Sequence, residues 1–125
     1  MNTENKILED PRALAEEITK IVDSKKAKDI KLLRIDDKTI IADYFVICGA
    51  NSNTQVKAIA GEVEYKLEEQ GIKPHHIEGY NEAVWAVLDY SSVIVHIFNR
   101  EARDFYKLEK LWSDAEDIDI SNLLV

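Results

Sequence analysis

The feature that most limits the fold of this chain is an unbroken apolar run in its middle, from Tyr44 to Cys48. The run consists of aromatic, β-branched and small apolar residues, with no polar residue between them. A strand with water on one face alternates apolar and polar residues, whereas a strand covered on both faces reads as a continuous apolar run. The run therefore predicts a central strand in a sheet that is covered on both sides.

A helix is predicted directly after this strand. Ser52 and Gln55, which follow Gly49-Ala50-Asn51, match a capping box that satisfies free amides at a helix start. Apolar residues then recur at helical spacing, namely Val56, Ile59, Ala60, Val63 and Leu67. Gly71 suits a left-handed stop. We predict a helix over residues 53–70, long enough to connect two parallel strands.

The flanking segments predict the remaining elements. Asp10-Pro11 resembles an N-cap followed by proline at the first helical position, which predicts a helix over residues 11–24. Residues 30–35 form a strand-like run, and a further short strand is predicted near Ile77. Two further runs, residues 83–90 and 93–98, are separated by Ser91-Ser92 and predict a hairpin.

The C-terminal part predicts one last helix and a tail. Asn99 can cap this helix, and its apolar residues recur at three- and four-residue spacing, namely Phe105, Leu108, Leu111 and Trp112. Together the elements predict an α/β sandwich, in which helices pack on a mixed sheet of about five strands. We expect residues 1–113 to form a single domain and residues 114–125 to form a loosely held acidic tail.

Charge and composition exclude several classes of function. The net charge of −8, from 24 acidic and 16 basic residues, disfavours direct nucleic-acid binding and favours a basic protein partner. The apolar stretch of residues 40–50 is too short to span a bilayer, which needs about 20 residues. The first residues lack the pattern of a secretory signal, so we expect a cytoplasmic protein without membrane association. Cys48 is the only cysteine and is expected to be buried.

Candidate catalytic and metal-binding residues find little support. The turn at Gly49 lacks the glycine spacing of a phosphate-binding loop. Two-metal transfer needs several carboxylates at one point, yet the later strands offer only Asp89. The adjacent His75 and His76 are poorly spaced for zinc, and His96 has no nucleophile that the sequence pairs with it. We therefore predict no catalytic residues, no metal and no cofactor.

Aromatic residues near the hairpin and last helix, interleaved with charged residues, are the more unusual feature: Trp85, Tyr90, Tyr106 and Trp112. Tryptophan, tyrosine and arginine dominate the energetic centres of protein interfaces. Several ordered blocks between residues 11 and 112 resemble the ribosomal silencing factor (Iojap/RsfS) family. These blocks are Ala42–Ile47, Gln55–Ala60, Glu78–Tyr80, Trp85–Tyr90, Val93–Phe98 and Phe105–Trp112.

The resemblance implies a homodimer with a nucleotidyltransferase-like fold that lacks the catalytic carboxylates. It also implies a translational repressor that binds the large ribosomal subunit through its fourteenth protein and sterically blocks joining of the small subunit. A role in large-subunit biogenesis is implied as well. Carried over by matching positions, the partner-binding residues are Trp85, Leu88, Asp89 and Tyr90 on the hairpin, and Tyr106, Glu109, Lys110 and Trp112 on the last helix.

Two alternatives stay open at the level of sequence. One is a magnesium-dependent nucleotidyltransferase that uses Ser52, Asp89 and a second acid not yet identified. The other is an unrelated dimeric adaptor that does not bind ribosomes. The family also often has glycine where this chain has Ser91 or Ser92, which leaves the local shape of the hairpin open.

Overall fold

A computed structural model describes residues 10–125 of the chain. Within this range the helices are α1 (Pro11–Ser24), α2 (Asn53–Glu68), α3 (Arg100–Tyr106) and α4 (Leu108–Leu111). The strands are β1 (Lys28–Arg34), β2 (Tyr44–Ala50), β3 (His76–Glu78), β4 (Trp85–Asp89), β5 (Val93–Asn99) and β6 (Glu116–Asp117). No helix within residues 10–125 has the length and apolarity required to cross a membrane.

The strands form one mixed sheet in the order β3-β4-β5-β2-β1-β6. β2 and β5 are parallel, and the other neighbouring strands are antiparallel. The mixed α/β class predicted from the sequence is confirmed, but the sheet has six strands within the described residues rather than about five. The additional strand, β6, is a short edge strand from the segment that was expected to be a loose tail.

Burial of β2 on both faces explains its continuous apolar sequence. All seven of its residues are buried, and the strand lies between β5 and β1. Cys48 is fully buried, as expected, and this burial raises the pKa of its thiol to about 12. One face of the sheet, which we call the helix face, packs against α1 and α2. The opposite face, the open face, is covered by α3, α4, the residues that follow them and part of the segment between β1 and β2.

Local capping fixes the starts of the two long helices. The Asp10 side chain accepts a hydrogen bond from the Ala13 amide at 3.2 Å, with Pro11 at the first helical position. At α2, Ser52 Oγ accepts from the Gln55 amide at 3.1 Å, while Gln55 Oε1 accepts from the Asn51 amide at 2.7 Å. Both predicted helix starts are therefore confirmed, each by a side chain that satisfies an otherwise free amide.

The predicted single C-terminal helix is wrong, because the chain breaks at Lys107. Lys107 has φ 49° and ψ 49°, a left-handed conformation that separates α3 from α4. The break divides the apolar stripe that predicted one continuous helix: Leu108 and Trp112 pack against the core of the open face, whereas Phe105 and Leu111 are 79% and 75% exposed. Apolar side chains that would be buried by a regular helix therefore lie at the surface.

The segment after residue 113, which was expected to be loosely held, is anchored to the sheet around residues 116–118. Glu116 and Asp117 pair with β1, and the Ile118 amide donates to the Leu32 carbonyl at 2.9 Å. Ile118 is only 6% exposed and belongs to the core of the helix face. An acidic composition hid this role, because one well-placed isoleucine is enough to anchor a short edge strand.

We predict that Ile118→Ala lowers the free energy of unfolding by about 2–4 kcal/mol, because it leaves a cavity in the core. Leu124→Ala, in the same segment at a position that is 39% exposed, should cost about 0.5 kcal/mol or less. Urea denaturation of both variants measures the difference. Equal stabilities would show that the segment is not anchored through Ile118.

Candidate functional site

The open face carries a continuous group of aromatic side chains. Successive ring centroids lie between 4.6 and 5.3 Å apart along this group, from Trp112 through Phe45 to His96, and from Phe98 through Trp85 to Tyr106. We call these six residues the aromatic cluster: Phe45, Trp85, His96, Phe98, Tyr106 and Trp112. Ring contacts at these spacings contribute beyond simple area burial, so the cluster is a stiff surface.

Trp85 occupies the centre of this cluster in a fixed orientation. Its indole Nε1 donates a hydrogen bond to His96 Nδ1 at 3.2 Å, and its ring stacks on Phe98 with centroids 4.8 Å apart. Trp85 remains half-buried, so one part of its ring is held by the sheet while another part faces solvent. An indole held in this way can contact a partner without losing much side-chain freedom.

His96 is kept neutral by its surroundings. Burial lowers the pKa of His96 to about 4, because the aromatic environment disfavours the charged ring. Since Nδ1 accepts from Trp85, the proton of the neutral ring is on Nε2, which is buried without a hydrogen-bond partner. His96 therefore acts as an acceptor that orients Trp85, in the way expected of a structural histidine rather than a catalytic one.

The exposed edge of the aromatic cluster continues onto α3. Tyr106 packs on Trp85 with ring centroids 4.7 Å apart and is 47% exposed, and Phe105 contacts Tyr106 edge to face at 5.0 Å. We call Trp85, Phe105 and Tyr106 the aromatic ridge. Val84, which precedes Trp85 in the chain, and Leu111 at the end of α4 are also exposed apolar residues. Large apolar side chains grouped at a surface mark interaction sites.

The other predicted partner-binding residues of the C-terminal segment, Glu109, Lys110 and Trp112, differ in how accessible they are to a partner. Lys110 is exposed, whereas Trp112 is half-buried and packs edge to face on Phe45 at 5.3 Å. The Glu109 carboxylate is held by Arg103, with Oε1 3.1 Å from Arg103 Nε. Glu109 is therefore engaged within the molecule, while Lys110 and the edge of Trp112 face outward.

The comparisons with known proteins agree with this fold. The family model described as "Ribosomal silencing factor during starvation" matches residues 8–124. Proteins named ribosomal silencing factor RsfS are 44% identical in Bacillus subtilis, over 78% of this chain and 83% of that protein, and 42% identical in Halalkalibacterium halodurans, over 82% and 88%. A crystal structure of a Chromobacterium violaceum protein has a TM-score of 0.81 at 30% identity, covering 83% of this chain and 87% of that chain.

This chain belongs to the ribosomal silencing factor family. The resemblance noted from the ordered sequence blocks is thereby confirmed, and the match extends past Trp112 to residue 124. It includes the C-terminal segment that packs against β1. Membership in this family supports a ribosome-associated regulatory role.

Two of the predicted partner-binding residues are contradicted by the structure. Leu88 is fully buried and Tyr90 is 3% exposed, and both belong to the core of the helix face. Side chains alternate along a strand, so Trp85, Val87 and Asp89 face one way while Leu88 and its even-numbered neighbours face the other. A partner cannot reach Leu88 or Tyr90 while the core is intact.

The same alternation identifies two open-face residues that the sequence analysis did not select. Val87 and Ile94 are half-buried on the open face, on the same side of the sheet as Trp85 and Asp89. Val87 pairs with His96, and Asp89 pairs with Ile94, so these side chains form one patch between the hairpin strands. Strand parity applied to β4 and β5 groups Val87 with Trp85 and Asp89 and separates them from Leu88 and Tyr90, but parity alone does not tell which group faces solvent.

The residues of the nucleotidyltransferase alternative are not brought together. Asp89 pairs with Ile94, whereas Ala50, which precedes the Ser52 turn, pairs with Asn99 at the other end of β5. Five residues of strand separate these ends by about 17 Å. Within residues 10–125, no group of three or more histidine, cysteine, aspartate or glutamate side chains is arranged to hold a metal. This arrangement gives no support to two-metal transfer at Ser52 and Asp89.

The neutral state of His96 predicts a pH dependence of stability. An unfolded histidine takes up a proton near pH 6.5, whereas folded His96 does so only near pH 4. The free energy of unfolding should therefore fall as the pH falls through this window, by up to about 3 kcal/mol for the whole shift. Urea denaturation between pH 7.5 and pH 4.5 measures this slope.

His96→Gln is the matched variant, because glutamine can still accept a hydrogen bond from Trp85 but does not titrate in this range. We expect its stability to depend less steeply on pH than that of the unsubstituted protein. The carboxylates titrate in both proteins, so the difference between the two slopes reports on His96. Identical slopes would show that the imidazole titrates normally.

Proposed function

We propose that this chain represses translation by binding the large ribosomal subunit through its fourteenth protein and blocking the joining of the small subunit. Membership in the ribosomal silencing factor family supports the general role. The observation that carries the contact surface is the aromatic ridge, where half-buried Trp85 is held in place while Phe105 and Tyr106 are largely exposed. Such a surface fits a protein partner better than a small substrate.

The proposed mechanism requires binding but no chemical step. A folded protein that occupies the joining face excludes the small subunit, because both cannot fill the same volume. Repression then depends on affinity and on residence time at the subunit. We accordingly propose that the protein is not an enzyme, which agrees with the separation of Ser52 from Asp89 along the sheet.

Charge supports a basic partner. The chain carries a net charge of −8, which accelerates encounter with a basic ribosomal protein but opposes direct contact with RNA phosphates. Asp89 lies half-buried on the open face, at the end of β4 opposite Trp85. An acidic group beside an apolar patch suits a partner surface that combines a basic residue with an apolar one.

The free protein is proposed to be a homodimer in the cytoplasm, with an additional role in large-subunit biogenesis. The exposed apolar residues of the loop between β1 and β2, Ile40 and Ile41, offer surface for self-association. Sedimentation analysis of the free chain tests this state. A monomer at micromolar concentration would contradict the dimer but not the binding of ribosomal subunits.

We predict that Trp85→Ala weakens binding to isolated large subunits at least about 30-fold, equivalent to about 2 kcal/mol, because it removes the centre of the contact. Cosedimentation with large subunits measures the affinity, and small subunits serve as the negative partner. Tyr65→Ala is the control, since Tyr65 is an exposed aromatic residue on α2 that belongs to the other side of the sheet.

A second variant separates lost contact from lost folding. Phe105→Glu changes a residue that is 79% exposed, so the fold should be retained while the apolar ridge gains a charge. We expect its binding to fall at least about tenfold. If the folded Phe105 and Trp85 variants both bind like the unsubstituted protein, the ridge is not the contact. If the unsubstituted chain does not bind large subunits at all, the adaptor alternative is favoured.

A further inference from the structure

The guanidinium of Arg103 joins the C-terminal helices to the start of β1, which is distant in sequence. Arg103 Nη1 donates to the Lys28 carbonyl at 3.1 Å, and Nη2 donates to the Asp29 carbonyl at 2.6 Å. The third group, Nε, donates to Glu109 Oε1 at 3.1 Å. One side chain therefore connects α3, the first turn of α4 and the start of β1.

This side chain lies in a crevice of about 620 Å³ beside the carboxyl end of β2. Such crevices often bind ligands in α/β sheets, and cations line this one. Asp29, Asp104 and Glu109 also line it, however, and two of its four cations are engaged, since Arg103 makes three internal hydrogen bonds and Lys31 pairs with Asp117 at 3.3 Å. The crevice is thus better described as a joint between elements than as an anion site.

The carbonyls that Arg103 binds are available because β1 is irregular at its start. The pairing of β1 with β2 shifts register between Lys28 and Lys31, and Asp29 has a φ of 48° in the left-handed region. A bulge of this kind removes residues from the regular ladder. Here the carbonyls at the bulge are satisfied by a charged donor, which makes stronger hydrogen bonds than a neutral one.

Gly49 allows the guanidinium to approach. A Cβ at Gly49 would lie 3.3 Å from Arg103 Nη1 and 3.6 Å from the Lys28 carbonyl oxygen. Contacts at the shorter distance would force the guanidinium to move by a few tenths of an ångström. Gly49 is itself buried in β2, so it cannot touch a partner directly.

The two C-terminal helices, α3 and α4, need tertiary contacts to hold their positions. α3 has seven residues and α4 has four, and none of the residues of α4 is buried. Helices of this length are unstable without tertiary contacts. Their left-handed junction at Lys107 lies between Arg103 and Glu109, so the Arg103–Glu109 pair spans the break and sets the angle between the helices.

We infer that Arg103 is a positioning residue for the aromatic ridge, an inference that rests on the proposed function. By fixing α3 and α4 against β1, it holds Tyr106 against Trp85 and Trp112 against Phe45. The Arg103 side chain is 10% exposed, so it acts through these aromatic residues rather than by touching the partner. Loss of the Arg103 hydrogen bonds should make the aromatic ridge less rigid and lower the affinity of the protein for large subunits.

The test compares Arg103→Lys with Arg100→Lys. Lysine keeps the charge but cannot make three directed hydrogen bonds in the geometry of a guanidinium. Arg100 is the matched control, because it lies on the same helix, is exposed, and makes one long contact of 3.4 Å with Asn51. We expect Arg103→Lys to bind large subunits at least about fivefold more weakly, and Arg100→Lys to bind within about twofold of the unsubstituted protein.

Tryptophan fluorescence supplies the readout that a loss of stability alone would not change. The chain has two tryptophans, and both belong to the aromatic cluster, so acrylamide quenching of the folded protein reports on the cluster itself. Quenching should increase in Arg103→Lys and not in Arg100→Lys. Circular dichroism at the assay temperature verifies that every variant is folded.

Gly49→Ala is the second variant, since it disturbs the guanidinium from beneath without changing any exposed atom. It should shift both quenching and affinity in the same direction as Arg103→Lys. Unchanged affinity in the folded Arg103→Lys protein would overturn the inference. So would weaker binding with unchanged quenching, because Arg103 would then contact the partner directly. If the unsubstituted chain fails to bind, the proposed function fails, and quenching alone decides whether Arg103 positions the ridge.

Discussion

The parallel pairing of β2 with β5 is the contact on which the rest of the structure depends. Both strands run in the same direction, so their carboxyl ends lie side by side and the segments that follow them leave the sheet at the same end. The chain after β2 enters α2 on the helix face, whereas the chain after β5 enters α3 on the open face. Two long amphipathic helices therefore close one face, and only short elements reach the other. The exposure of aromatic side chains is a consequence of this topology.

Elements with strong local signals could be predicted from the sequence. The apolar run of β2, the caps of α1 and α2 and the hairpin each depend on residues close together in the chain. The break at Lys107 could not be predicted, because the spacing of Phe105, Leu108 and Leu111 fits a continuous helix. Its left-handed conformation is accompanied by the contact of Arg103 with Glu109 and with β1, which is distant in sequence. Similarly, β6 is too short for any local pattern to indicate it.

The candidate site was predicted in outline but not in detail. Family resemblance selected the hairpin and the last helix as a whole, which mixed residues from both faces of the sheet. Trp85 and Asp89 lie on the open face, whereas Leu88 and Tyr90 help to form the core. The alternation of side chains along β4 contains this distinction. The side of the strand that faces solvent was not evident, because the apolar residues of β4 occupy both sides.

The polar side chains that support the aromatic ridge, Arg103, Glu109 and His96, contribute more to the orientation of the ridge than to the stability of the fold. A partly buried ion pair such as Arg103–Glu109 recovers little more than its own desolvation cost, and the Nε2 group of His96 is buried without a hydrogen-bond partner. Apolar residues could fill both positions at less cost, but they would not fix the direction of the Trp85 indole or the angle between α3 and α4. A surface that acts only by binding benefits from such rigidity, since side chains already ordered in the free protein lose less entropy in the complex. The cost to the monomer is therefore offset when a partner covers the ridge.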